Sequence, residues 1–308
     1  MRLAIVGAGI SGLYLAWKLS EKGFEVTVFE KEKEIWQKAC SGLISERILQ
    51  FIPESEELIK NKINFVLIHF PKKTLKVNFS KVFFVIDHFQ LNNLLFKLAK
   101  KSGTKILFNH SVKSIPQNFN KIIGCDGWNS QVRKSLNLPD PKFYLGIQGF
   151  LKEENFSDFV ETWPQKSGFL WKIPRGREVE YGIIEEPKNA KKLFNDFLKK
   201  KNLKLERINS ATISQSLIIP LNPNITLCGD AAGLTKPWSG GGIIWGLMAA
   251  DILLRNFPDF LKYQKEMKKL FLLNINFSKL AKNLVYFLGF KFPFLLPKNF
   301  KTEGDFLI

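Results

Sequence analysis

Arg2-Leu-Ala-Ile-Val-Gly7-Ala-Gly9-Ile-Ser-Gly12 opens the chain, and Phe24-Glu-Val-Thr-Val-Phe29-Glu30 follows after helical spacing over residues 10–22. Short continuous apolar runs read as buried strands, and the 3.6-residue period between them reads as a helix. Strand, glycine turn, helix and strand make a βαβ unit on a parallel sheet, built to hold a dinucleotide. Gly7 permits the tight turn. Gly9 lets a pyrophosphate approach bare backbone. Gly12 lets the helix pack on the sheet while its first N–H groups face the phosphates. Glu30 closes the second strand, where a carboxylate accepts from an adenosine ribose hydroxyl.

Outward from this unit, the pattern predicts mostly helix over residues 41–61, a hairpin of 63–70 and 74–79 around Pro71, and a helix over 89–101 that stops at Gly103. Strands are predicted at 105–108 and 121–125, and several β-like runs fill 143–185. A basic amphipathic helix covers 189–201, a buried strand 225–228, and a long helix 241–255. The expected division is a discontinuous dinucleotide-binding domain (1–62, 86–142 and 210–257), a β-rich substrate domain (63–85 and 143–209) and a short helical C-terminal tail (258–308).

The composition limits the classes of function. A chain of 308 residues, 45% hydrophobic, is long enough for a self-supporting core. Cys40, Cys125 and Cys228 form no Cys-x-x-Cys pair, so a disulfide frame, a zinc ribbon and a protein-ligated iron–sulfur cluster all lack ligands; no metal is expected. His69, His88 and His110 are scattered and read as structural or exposed. The net charge is +18, and 39 of the 46 basic residues are lysine. Lysine is a hydrated point charge rather than a bidentate reader of bases, which favours a general attraction to anions over sequence-specific nucleic-acid binding. The N-terminus runs straight into the glycine motif with no signal-peptide pattern, and the apolar stretches 240–254 and 284–297 are interrupted by Asp251 and Lys291. A cytoplasmic protein lying on the inner face of the membrane, rather than crossing it, is expected.

Two further motifs carry chemistry. Ile122-Ile-Gly-Cys-Asp126-Gly127-Trp-Asn-Ser130-Gln-Val-Arg133 is a strand ending in Asp-Gly before a helix cap. Cys228-Gly-Asp230-Ala-Ala-Gly233-Leu-Thr-Lys-Pro237-Trp-Ser-Gly240-Gly241-Gly242-Ile243 is a strand, a bare turn and a helix start. Three consecutive glycines cost conformational entropy that packing alone rarely repays. Together with the first motif, they resemble FAD flavoproteins of the aromatic hydroxylase and geranylgeranyl reductase superfamily, and most of all the archaeal-type geranylgeranyl reductases. Gly168-Phe169-Leu-Trp171-Lys-Ile173-Pro174 is similar to that family's substrate-cavity motif, with Phe169 for its Tyr, Ile173 for its Phe and Lys166 for its first Pro. Cys40-Ser-Gly42 is similar to a family segment near the flavin.

The resemblance covers about residues 1–255 and implies an α/β fold: a Rossmann-like FAD-binding domain with an inserted antiparallel substrate sheet. It implies that Asp230 binds the ribityl chain, that Asp126 and Gly127 belong to the cofactor site, and that the ring lies on Gly240–Gly242 at the positive end of the next helix. It also implies an FAD-dependent reductase of isoprenoid C=C bonds, acting on a prenylated lipid or its precursor. Phe169, Trp171, Pro174, Pro237 and Trp245 would border the substrate, and Cys40 is the candidate proton donor, against a default reading as an inert thiol. NAD(P)H or an acidic ferredoxin would supply electrons, and an anionic membrane surface would hold the enzyme. The chain departs from the family where Asp87-His88-Phe89 stands in place of an Arg, and in its abbreviated C-terminal region. A monooxygenase or halogenase of the same fold, or a non-catalytic protein that binds membrane or nucleic acid and keeps a flavin fold, are the alternatives.

Overall fold

Local sequence accounts for most element boundaries in the computed structural model, which describes residues 1–36 and 38–307. The first half holds β1 (Arg2–Val6), α1 (Ile10–Glu21), β2 (Glu25–Phe29), β3 (Leu43–Ser45), α2 (Ile48–Phe51), β4 (Ile59–Phe70), β5 (Lys73–Ile86), α3 (His88–Lys101), β6 (Lys105–Leu107), β7 (Lys121–Gly124) and α4 (Gln131–Ser135). The second holds β8 (Phe143–Leu151), β9 (Phe159–Pro164), β10 (Phe169–Pro174), β11 (Val179–Glu185), α5 (Pro187–Lys201), β12 (Glu206–Ser214), β13 (Ile225–Leu227), α6 (Ile243–Asn256), α7 (Phe260–Lys291) and β14 (Asn299–Thr302). Asp87 caps α3 by accepting from the N–H groups of Phe89 (2.9 Å) and Gln90 (3.1 Å). Pro187 occupies the first turn of α5, and Asn202 ends it in the left-handed conformation.

Two sheets result. A five-stranded parallel sheet has the order β13-β7-β1-β2-β6, with Leu3 beside Val26 on one side and beside Lys121 on the other. Apolar faces of α1, α3 and α6 cover it and form the main core. The second sheet runs β12-β8-β11-β10-β9-β4-β5-β14, with β3 joined to β5. It is mostly antiparallel, and α5 packs its Ala190 and Phe194 on one face.

Three expectations are corrected. Residues 41–61 are not mostly helical: β3, the single turn of α2, a 3₁₀ segment at Pro53–Leu58 and the start of β4 fill this stretch. Gly42 has φ +62°, and a Cβ there would overlap the Ile86 carbonyl, so the backbone is drawn onto β5 and paired with it; Pro53 breaks any longer helix. The boundary at 209/210 falls inside β12, which stays in the second sheet. The last fifty residues are not a short helical tail: α7 is 32 residues long, and the chain then returns as β14 in parallel register with β5. Among the described residues, no helix is long and apolar enough to cross a membrane.

Candidate functional site

The C-terminal ends of β1, β7 and β13 converge, as doubly wound sheets place their ligand crevice. Gly7 has φ +104°, and a Cβ on it would overlap the Cys125 carbonyl; a Cβ on Gly12 would overlap the Gly7 carbonyl. Both glycines are therefore demanded by close backbone approach. Gly9 differs: a Cβ there meets nothing within 4 Å, because the residue faces a cavity of about 1330 Å³. Glu30 reaches back from β2 and accepts from the Ala8 N–H at 2.6 Å, so the turn is clamped by the same carboxylate that borders the cavity.

Asp126 and Gly127 follow β7. Asp126 borders the cavity and accepts from the Gln131 N–H at 2.6 Å, while its second oxygen is buried without a partner. Burial pushes its carboxyl above the usual carboxylate range. Asp230 follows β13 beside the start of α6 and forms an ion pair with Lys38. Burial works against the Lys38 ammonium, but the neighbouring Asp230 outweighs it and holds the pKa above the usual lysine value. Gly240, Gly241, Gly242 and Ile243 line the same cavity, and Gly240 takes φ +70°. Gly233, at φ +75°, closes the turn after Asp230 against Ser216 and Pro141, outside the cavity lining.

The cavity continues without a partition between the two sheets. Cys40, Phe169 and Trp171 line it. Trp171 donates its indole N–H to the buried Glu180 at 2.9 Å and lies flat on Gly182, where a Cβ would overlap the ring. Arg175 bridges Glu180 (2.8 Å) and the Ser41 carbonyl (2.5 Å), and Gln148 donates to the Cys40 carbonyl at 3.4 Å. The Cys40 turn and the Trp171 ring are thus held by one buried network. Burial pushes the Cys40 thiol up, so it stays protonated near neutrality.

Three expected cavity residues lie elsewhere. Trp245 is fully buried, packed against Trp238, Phe271 and Phe306, and donates to the Asp305 carbonyl at 2.9 Å. Helix phase decides this: Ile243 faces the cavity, and two residues on, the side chain points into the core. Pro174 ends β10 paired with Val179, and Pro237 borders a separate small pocket behind the glycine turn. Trp238, Lys38 and the β4–β5 side chains Val66, Ile68, Leu75 and Val77, none singled out from sequence, take part in the lining instead.

His88 and His110, read as structural or exposed, also border the cavity. The buried His88 Nδ1 has no partner, and burial, with Lys38 adding to it against Asp230 and Asp87, brings its pKa down to about 4. A histidine with its folded pKa below its unfolded value of 6.5 contributes stability above pH 6.5 that is lost as pH falls toward 4. Urea unfolding is expected to show wild type losing about 2–3 kcal/mol more than His88→Gln between those limits. Equal acid slopes in the two proteins refute the assignment.

The residues present fit FAD: two close-approach glycines, an open Gly9, unpartnered polar atoms of Asp126 and His88, and a bare turn at the start of α6. Residues 5–35 match the NAD(P)-binding Rossmann-like domain family. A Methanosarcina barkeri protein of unassigned function is 25% identical over 99% of this chain and 87% of its own length. The digeranylgeranylglycerophospholipid reductase of Methanococcus vannielii is 24% identical over 82% of this chain and 77% of that one. A geranylgeranyl bacteriochlorophyll reductase-like protein of Thermoplasma acidophilum superposes with a TM-score of 0.78 at 20% identity, covering 92% of this chain and 86% of that one. Motifs, sequence and fold agree on an FAD-dependent oxidoreductase that is similar in sequence to digeranylgeranylglycerophospholipid reductases and shares the geranylgeranyl reductase-like fold.

Proposed function

We propose that the protein saturates isoprenoid C=C bonds, on the geranylgeranyl chains of ether phospholipids or on their prenyl precursors. The continuity of the cavity carries this reading. Its polar end, at Gly9, Glu30, Asp126 and Asp230, opens directly into a chamber bordered by Val66, Leu75, Val77, Phe169 and Trp171. A long alkene offers nothing to hydrogen-bond and is held by apolar area at roughly 25 cal/mol per Å².

FAD, when bound and reduced, supplies the hydride. The chain does the remainder. Gly9 and the Gly240–Gly242 turn give bare backbone for the cofactor, and the apolar walls exclude water. An isolated alkene accepts hydride poorly, so proton delivery leads and positive charge gathers on the tertiary carbon. The faces of Phe169 and Trp171 stabilise that charge. Cys40 is the protonated thiol at hand in this part of the lining.

Leu273, Phe277, Leu280, Leu284 and Phe287 recur along α7 at three- and four-residue intervals and are all exposed; Leu273 is 75% and Leu280 70% exposed. Phe277 and Leu284 also belong to the cavity lining, so this stripe runs into the chamber. With a charge of +18, it supports an anionic lipid surface as the docking partner and a peripheral location. The same positive balance suits an acidic electron donor such as a ferredoxin, with NAD(P)H as the small-molecule option.

One experiment tests site and surface together. Protein reduced anaerobically is mixed with anionic vesicles containing a geranylgeranylated phospholipid. Mass spectrometry is expected to show added hydrogen pairs, and sedimentation with vesicles to fall as salt rises. Unchanged lipid beside bleached flavin overturns the substrate; absent or salt-independent sedimentation overturns the surface.

A further inference from the structure

Asp305 lies in a segment that the motifs do not touch, yet it is fully buried and fully engaged. Its carboxylate accepts from Ser45 Oγ at 2.5 Å and pairs with Lys236 Nζ at 2.5 Å and Arg47 Nε at 3.2 Å. Its carbonyl accepts from the Trp245 indole. These partners come from three places around the cofactor end of the cavity. Ser45 ends the strand that follows the Cys40 turn. Lys236 belongs to the glycine turn: its N–H donates to the Gly241 carbonyl at 3.1 Å, and its carbonyl accepts from the Gly240 N–H at 2.9 Å. Trp245 sits in the first turns of α6.

The segment is itself fixed at both ends. β14 pairs with β5, and Phe306 packs against Trp245 with ring centroids 5.8 Å apart. Thr302, Gly304 and Leu307 border the cavity. A buried carboxylate between two cations holds its partners more tightly than apolar contact does, because any displacement leaves an uncompensated charge out of water.

We infer that residues 302–307 are a working part of the cofactor site, with Asp305 as the positioning residue that fixes the Lys236–Gly242 turn. The inference rests on the reading above, in which that turn receives the flavin ring. Removing the carboxylate frees the turn from its anchor while leaving every expected cofactor-contacting residue in the sequence.

The test follows FAD release from holoenzyme by recovery of flavin fluorescence on dilution, together with the visible absorption spectrum and the thermal midpoint. Asp305→Asn is expected to weaken FAD retention at least tenfold and to alter the visible band shape; Asp305→Glu restores retention to within threefold. Because Asp305→Asn strands a buried ammonium and risks misfolding, the Lys236→Met/Asp305→Leu variant carries the test independently. It is expected to keep the wild-type thermal midpoint and still release FAD at least tenfold more readily. Asn299→Ala, exposed on the same strand, is the unaffected control. Retention within twofold of wild type in the double variant overturns the inference and leaves the proposed function standing. A wild-type protein that takes up no FAD overturns both.

Discussion

Gly9→Ala is expected to fold with its stability within about 1 kcal/mol of the parent and to lose FAD affinity at least tenfold, about 1.4 kcal/mol of binding. Gly9 has ordinary extended backbone (φ −80°), and its added methyl meets no protein atom within 4 Å, so the only thing it can displace is an occupant of the cavity. Gly7→Ala is the contrasting lesion. There the backbone is held at φ +104°, and the methyl overlaps the Cys125 carbonyl of the neighbouring strand. Left-handed strain and a forced separation of β1 from β7 together are expected to cost about 3–5 kcal/mol, with cofactor lost as a consequence. Urea unfolding and flavin retention through gel filtration separate the two. A Gly9→Ala protein that keeps its FAD would show that no pyrophosphate lies against this turn.

Arg175→Met is expected to destabilise the fold by about 3–5 kcal/mol, because it leaves the Glu180 carboxylate buried and unpaired. The side chains of this pair are 3% and 0% exposed. Burial pushes Glu180 above the usual carboxylate range, with the Arg175 guanidinium and the Trp171 indole pulling it back. Without the guanidinium the folded pKa rises further. An acid with its folded pKa raised gives stability that is present at low pH and lost as pH rises through the gap, so the penalty is larger at pH 8 than at pH 5. Turnover suffers separately. Arg175 also holds the Ser41 carbonyl and Glu180 orients Trp171, so displacing both by about 1 Å is worth about a hundredfold in rate. The Arg175→Met/Glu180→Gln variant regains most of the stability and little of the turnover. Full recovery of turnover in that double variant would reduce the pair to a packing element.

The unit β1-α1-β2 was legible because its cause is local: glycines at fixed offsets between two apolar runs, with Glu30 at the end of the second. Asp126 and Asp230 were legible for the same reason, each directly after a short buried strand. Side chains whose position depends on helix phase or on distant partners were not. Trp245 stands three residues after Gly242 in sequence, but the turn of α6 carries it into the core. Glu180 left a trace, a carboxylate within the buried strand β11, whereas Arg175 follows β10 in a turn, where a charge is ordinary. Asp305 left none. Its meaning comes from a parallel pairing between β14 and β5, residues with no neighbourhood in sequence, and parallel partners cannot be read from hairpin turns.

The order β13-β7-β1-β2-β6 sets a schedule for biosynthesis. A ribosome releases β1, β2, β6 and β7 early, and the nascent chain then extrudes β8 to β12 of the second sheet before Ile225–Leu227 arrives to cover β7. Until then one edge of the central sheet stands open, rich in Ile and without its neighbour. Docking of long-range parallel strands is slow, and domains complete their contacts only as the chain emerges. Protecting that edge during translation, by added chaperone or by slower synthesis at low temperature, is therefore expected to raise the yield of folded protein.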